Sequence, residues 1–192
     1  MEKYLFVLVA SLLSLYAVAQ TNLNIVKSAR SQIGKTVSYD PAYVKLSYPN
    51  GDVPLSKGVC TDVVIRALRG NKQDLQKLVH EDMKANFGQY PKTWGLTSTD
   101  SNIDHRRVPN LETFFKRKNK ALTVTQEGKN YKAGDIVSWR LDNGLPHIGI
   151  VSDRVSADKK RPLIIHNIGQ GAKEEDVLFV WKIVGHYRYF KS

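Results

Sequence analysis

The spacing of apolar residues changes near residue 120, and that change limits the fold more than any other feature. Before it, apolar residues recur every three or four positions. After it, short runs rich in Val, Ile, Trp and Tyr alternate with turn residues. Leu23, Val26, Ala29 and Ile33 predict a first helix closed by Gly34. Residues 38–57 hold three prolines and no period, and read as an ordered loop. A second helix opens near Cys60, with Val63, Val64, Ala67 and Leu68 on one stripe and Gly70 at its end. A third runs from about Asp74, with Leu75, Leu78, Val79 and Met83 on one face. Asn110 is expected to cap a short helix that contains Leu111, Phe114 and Phe115. Strands are expected over 121–125, 135–141, 147–152, 163–168 and 179–189. Helices followed by short-looped strands predict an α+β domain, N-terminal helices packed on an antiparallel sheet.

The start of the chain has a different character. Met1 to Lys3 is polar, Tyr4 to Leu15 is mostly apolar, and Ala17-Val18-Ala19 is a small-residue cleavage pattern. This reads as a signal peptide over 1–19, cut after Ala19, leaving residues 20–192 as a single domain. The apolar run is short for a membrane span, which takes about 20 residues. The expectation is an exported protein, periplasmic or secreted, with no stable span after cleavage. A formal net charge of +11 draws such a protein to anionic surfaces. The clusters Lys116-Arg117-Lys118 and Lys159-Lys160-Arg161 are not interleaved with aromatic residues, so no nucleic-acid platform is expected.

The chain has one cysteine, which cannot pair within the chain. Cys60 falls at the start of the second helix, where unpaired N–H groups and the helix dipole favour thiolate and can hold an oxyanion. A small buried cysteine, packed like alanine, is the other reading of the same residue. His147 opens one strand and His166 closes the next, with a hairpin connection between them. Pairing His147 with His166 would set Val151 opposite Pro162 and point both imidazoles from one face, about 5 Å apart at Cβ. A thiol nucleophile needs a base and a group that orients the base. His147 is assigned as base and His166 as orienter.

The order of these motifs resembles the NlpC-type papain-like cysteine peptidases of bacterial cell walls. His147-Ile148-Gly149-Ile150 matches that superfamily's histidine strand, and Gly134-Asp135 its Gly-Asp pair. Tyr48, 12 residues before Cys60, matches its active-site tyrosine. Within the superfamily, GVCTDVVIRALR, IDHRRVPNLETFF and HIGIVSD resemble the domain-of-unknown-function family numbered 1287. The resemblance implies a papain-like fold and amide hydrolysis in peptidoglycan stem peptides through a thioester at Cys60, without metal or cofactor. Val59-Cys60-Thr61-Asp62 departs from the superfamily's usual Asp-Cys-Ser-Gly and changes the pocket beside the sulfur.

Thr61 and Asp62 beside the sulfur, and the run Asp104-His105-Arg106-Arg107, are the remaining candidates for binding substrate or an oxyanion. Two arginines can grip a carboxylate in bidentate fashion. The same run can equally be a surface loop in which Asp104 pairs with an arginine, and Asp62 and Arg66 have the spacing of an i,i+4 ion pair. His80 and His186 read as structural or solvated. Zinc held by His147, His166 and His105 or Asp104 is a weaker alternative, since no tight ligand pair occurs. A non-catalytic wall-binding module on the same fold is another, as is thiol acyl chemistry on a lipid or protein.

Overall fold

The computed structural model describes residues 17–191. Residues 1–16 of the expected signal peptide lie outside the described residues, and the Ala19–Gln20 bond falls within the first helix, α1 (residues 17–30). Ile25, Val26 and Ala29 of α1 are fully buried, whereas Leu23 and Ile33 are more than one-third exposed. The helical period holds and its phase is turned by one residue. Gln32, not Ile33, faces inward, and its amide donates to the Val63 carbonyl at 3.0 Å.

Helix α2 (Cys60–Arg69) buries nearly every side chain it carries. Helix α3 (Leu75–Ala85) is capped by Asp74, whose carboxylate accepts from the Gln76 N–H. Helix α4 (Val108–Arg117) starts two residues before Asn110, with Pro109 in its first turn. Asn110 is therefore inside the helix rather than its cap, and its amide donates instead to the Asp104 carbonyl at 2.9 Å.

The loop over 38–57 hides a short parallel pair, β1 (Ser38–Tyr39) with β2 (Lys57–Gly58), in which Tyr39 stands opposite Gly58. Six antiparallel strands follow: β3 (Ala121–Leu122), β4 (Ile136–Arg140), β5 (Pro146–Val155), β6 (Pro162–Asn167), β7 (Ala172–Glu175) and β8 (Lys182–Tyr187). Their order across the sheet is β3-β8-β4-β5-β6-β7. The α+β architecture is the expected one: helices cover one face, against Ile136, Ile148, Ile150, Ile165 and Tyr187. The other face is closed by Tyr131, Leu178 and their neighbours over Val137, Trp139, Val151 and Ile164.

The β5–β6 register differs from the expected one by two residues. Val151 faces Ile164, not Pro162, because β5 is irregular beyond Val151 and meets Pro162 only at Val155. A shift of two keeps the pleat in phase, so His147 and His166 still share a face. Gly149 lies between them. A Cβ there would come within 2.8 Å of Ile164 Cγ2 and 3.1 Å of His166 Cβ.

Asn167 joins the sheet to the region around the cysteine. Its amide donates to the Gly58 carbonyl at 3.0 Å and the Ser38 carbonyl at 3.3 Å.

Candidate active site

A cavity of about 750 Å³ opens where β1, the start of α2, the segment before α4 and the start of β5 meet. Cys60 and His147 both line it, as do Tyr39, Trp94, Arg106 and Arg107; much of the remaining wall is apolar, including Leu141, Leu145 and Ile168. Among the described residues, no aspartate or glutamate side chain lines it.

Cys60 sits at the first position of α2, as the sequence implies, and is 4% exposed. The expected thiolate is not its resting form. Burial pushes the thiol up to about 11, the nearby Asp62 charge adds to this, and N–H groups of Ile148 and Thr61 and the Tyr39 hydroxyl offset only part. Desolvation wins over the helix dipole because the sulfur is enclosed. The Ile148 N–H that reaches the sulfur belongs to the residue after His147, so Cys60 is held against the strand of its expected base. No hydrogen bond joins Cys60 to His147.

His147 is 2% exposed, with its ring beside Trp139 and Trp181, both at 5.8 Å. Burial, with the neighbouring His166, pushes its pKa down to about 3, so it is a neutral imidazole. Its Nε2 lies 2.8 Å from His166 Nδ1, and His166 Nε2 lies 2.9 Å from a Glu175 carboxylate oxygen. These contacts assign the tautomers. The carboxylate accepts, so His166 carries its proton on Nε2 and accepts at Nδ1. His147 then donates from Nε2 and keeps an open lone pair on Nδ1. Burial also lowers the pKa of His166, against the pull of Glu175. His166 stands behind His147 and does not line the cavity.

The polar residues around this pair divide. Asp62 does not pair with Arg66. Its carboxylate turns back to accept from the Val59 N–H at 2.6 Å and takes both Nε and Nη2 of Arg106 at 3.0 Å, in a pair that is almost wholly buried. Arg66 turns to Asp52, at 2.9 and 3.0 Å, and to loop carbonyls. Thr61 is fully buried and donates to the Arg106 carbonyl at 3.1 Å. Asp104 pairs with His80 at 2.9 Å rather than with an arginine, so His80 is part of a buried anchor. His105 is buried, its pKa pushed down to about 3 by desolvation and by Arg106 and Arg69. Arg107 alone of the run presents an unpaired charge to the cavity, with its guanidinium 5.0 Å from the Trp94 ring centre. Tyr48 lies elsewhere, 44% exposed, edge-on to His80 at 5.4 Å. The donors weighed for zinc are not gathered: among the described residues, no group of three His, Cys, Asp or Glu side chains is placed to share a cation.

The model of the DUF1287 family, a domain of unknown function, matches residues 26–189. The chain belongs to the DUF1287 family. An Escherichia coli (strain K12) relative, "Uncharacterized protein YijF", is 66% identical over 172 residues, covering 90% of this chain and 83% of its own. Among solved structures, the chain is similar to NlpC1 from Trichomonas vaginalis, at 12% identity and a TM-score of 0.45. That match covers 88% of this chain and 45% of NlpC1, so the chain spans less than half of NlpC1's length.

Two residues of this DUF1287 site escape a reading of the sequence. Tyr39, 21 positions before Cys60, reaches the sulfur because β1 pairs with the residues just ahead of α2. Glu175 ends β7, a strand whose Lys173-Glu174-Glu175 composition hides it. It faces Ile164 across the ladder and so shares His166's side of the sheet. Trp94, a large aromatic suited by type to either core or cleft wall, takes the cavity wall, in a turn with φ +62°.

Proposed function

We propose that this DUF1287 protein is a cysteine hydrolase that cleaves an amide through a thioester on Cys60. The observation that carries the reading is the Glu175–His166–His147 relay, which leaves the open His147 Nδ1 as a base on the same cavity wall as the only thiol. The resting pair is neutral, a thiol and an imidazole, so the proton moves during attack rather than before it. On substrate entry the sulfhydryl leaves Tyr39 and turns to His147. Sγ bonds to the carbonyl carbon as its proton passes to Nδ1. The Cys60 backbone N–H, in the first turn of α2, faces no intrahelical acceptor and is suited to hold the developing oxyanion. His147 returns the proton to the departing amine, and the thioester forms. Water then attacks it, losing a proton to Nδ1, and the acid is released with the thiol restored.

The substrate class proposed is a peptidoglycan stem peptide, met outside the cytoplasm. The support is the apolar N-terminal run with its Ala-Val-Ala pattern and the +11 charge. No helix among the described residues is long and apolar enough to cross a membrane. Purified peptidoglycan incubated with the wild-type chain should release muropeptides with a new terminus by mass spectrometry, and Cys60→Ala should release none. Equal digestion by the two would remove Cys60 from the mechanism. The apolar cavity wall favours one second reading, the same thioester chemistry on an acyl group of a lipid or protein, and the same digest with acylated substrates separates the two.

A further inference from the structure

The charges around the Cys60 cavity do not balance. Four elements bring ionisable side chains to it or directly beneath it, and nearly all are matched. Arg106 is held by Asp62 on two atoms, Asp104 by His80, and Arg66 by Asp52. Asp100 is held by the Tyr43 hydroxyl and by the Asn102 N–H and side-chain amide. Arg107 is not matched. Among the described residues its guanidinium finds no hydrogen bond and no ion pair, and its Nη1 is buried without a partner. Asp100 feels its charge only at a distance. What fixes Arg107 is the Trp94 ring, 5.0 Å from the guanidinium carbon. Trp94 is 59% exposed and takes a left-handed backbone, φ +62°, to stand there. A buried N–H without an acceptor costs free energy unless a ligand supplies one. A guanidinium stacked on an aromatic face keeps its in-plane fork open for a planar anion.

We infer that Arg107, held by Trp94, is the anion subsite of the Cys60 cavity, and that the substrate carries a carboxylate beside an apolar segment. This rests on the reading of Cys60 as nucleophile and narrows it. The expected two-arginine clamp reduces to one arginine, because Asp62 takes the other. With one free cation among the described residues and a mostly apolar wall, the site fits a single carboxylate in reach of the scissile acyl group. Leu141, Leu145 and Ile168 receive the apolar part.

The test uses Cys60 as a reporter, so that it does not depend on knowing the substrate. Maleimides bearing a terminal carboxylate, or the matching primary amide, on chains of two to six carbons are reacted with the full chain and timed by intact mass. At the chain length that spans from the sulfur to the guanidinium, the acid should outpace the amide by about tenfold at low ionic strength. Arg107→Gln should bring that ratio to about one, and Arg107→Lys should keep part of it. A ratio unchanged by Arg107→Gln at every chain length overturns the subsite. A Cys60 that takes up no reagent at any pH would instead count against the nucleophile. The subsite is then read from tryptophan emission, with Trp94→Phe assigning the signal. Hexanoate and N-acetyl-leucylleucine, each against its amide, separate a fatty from a peptidic source. Binding of either acid that Arg107→Gln weakens about tenfold upholds the subsite, and equal binding by wild type and variant overturns it.

Discussion

His147 Nε2 and His166 Nδ1 lie 2.8 Å apart, with neither residue opposite the other in the ladder. The contact runs on the diagonal, across the space left by Gly149, and a carboxylate on the next strand fixes which nitrogen donates. The order of proton positions is therefore set from Glu175 inward. His166→Ala should lower kcat about a hundredfold or more, since His147 would lose the partner that keeps its Nδ1 bare. Glu175→Gln should cost less, about tenfold. Rates on muropeptides with folding checked by circular dichroism measure both, and an unaffected His166→Ala would remove the relay from the mechanism.

Gly149→Ala tests the same geometry by sterics. The added methyl would press on Ile164 and His166, so β6 must give way. A stability loss of about 1–3 kcal/mol is expected, together with a fall in kcat larger than that in a control such as Gly88→Ala, where the backbone is not left-handed and nothing crowds the added carbon. Urea denaturation and steady-state kinetics supply the two numbers.

The pH behaviour of Cys60 follows from its enclosure. With its pKa pushed up to about 11, only about one molecule in ten thousand carries thiolate at neutral pH. Alkylation of Cys60 by iodoacetamide should therefore keep rising to about pH 11 instead of levelling near 9. Tyr39→Phe should move the midpoint further up, since the hydroxyl favours thiolate. The signs for stability are opposite at the two ends of the scale. The raised thiol pKa stabilises the fold below about 9, and that contribution fades as pH climbs from 9 to about 11. His147 and His105, pushed down to about 3, leave the fold at full strength above 6.5 and weaken it as pH falls towards 3. Thermal melts across that range, on wild type and His105→Asn, should show the variant with the shallower acid slope.

Asp62 and Arg106 form a buried pair under the cysteine, and breaking one side strands the other charge. Asp62→Ala should cost about 3–5 kcal/mol, and the double variant Asp62→Ala/Arg106→Leu should recover part of that loss. Urea midpoints of wild type, Asp62→Ala, Arg106→Leu and the double variant form the cycle. An additive result would mean that the two charges do not interact.

The sequence carried the parts of the fold that repeat. Helical spacing around Val63, Val64, Ala67 and Leu68, and β-rich runs around Ile136 and Ile150, each report a local preference that the packed chain keeps. It carried the places of Cys60, His147 and His166 in the fold because helix starts and strand ends are local features too. It did not carry Tyr39, Glu175 or the partner of Asp62, which depend on segments far apart in the chain. The register error at Val151 has the same origin, for an irregular strand leaves no compositional trace. Asp62 and Arg66 have the spacing of an ion pair and do not form one, because a closer, drier partner arrives from residue 106.

Asn167 follows His166 in sequence, yet its amide grips the strand pair that delivers Tyr39 and Cys60. One carboxamide thus spans a separation of more than a hundred residues, between a late strand and the threshold of α2. Any opening that frees the segment of Cys60 must also loosen the residue next to His166. The halves of the site are assembled and dismantled together, and a partly unfolded chain would bring Cys60 and His147 to no common cavity.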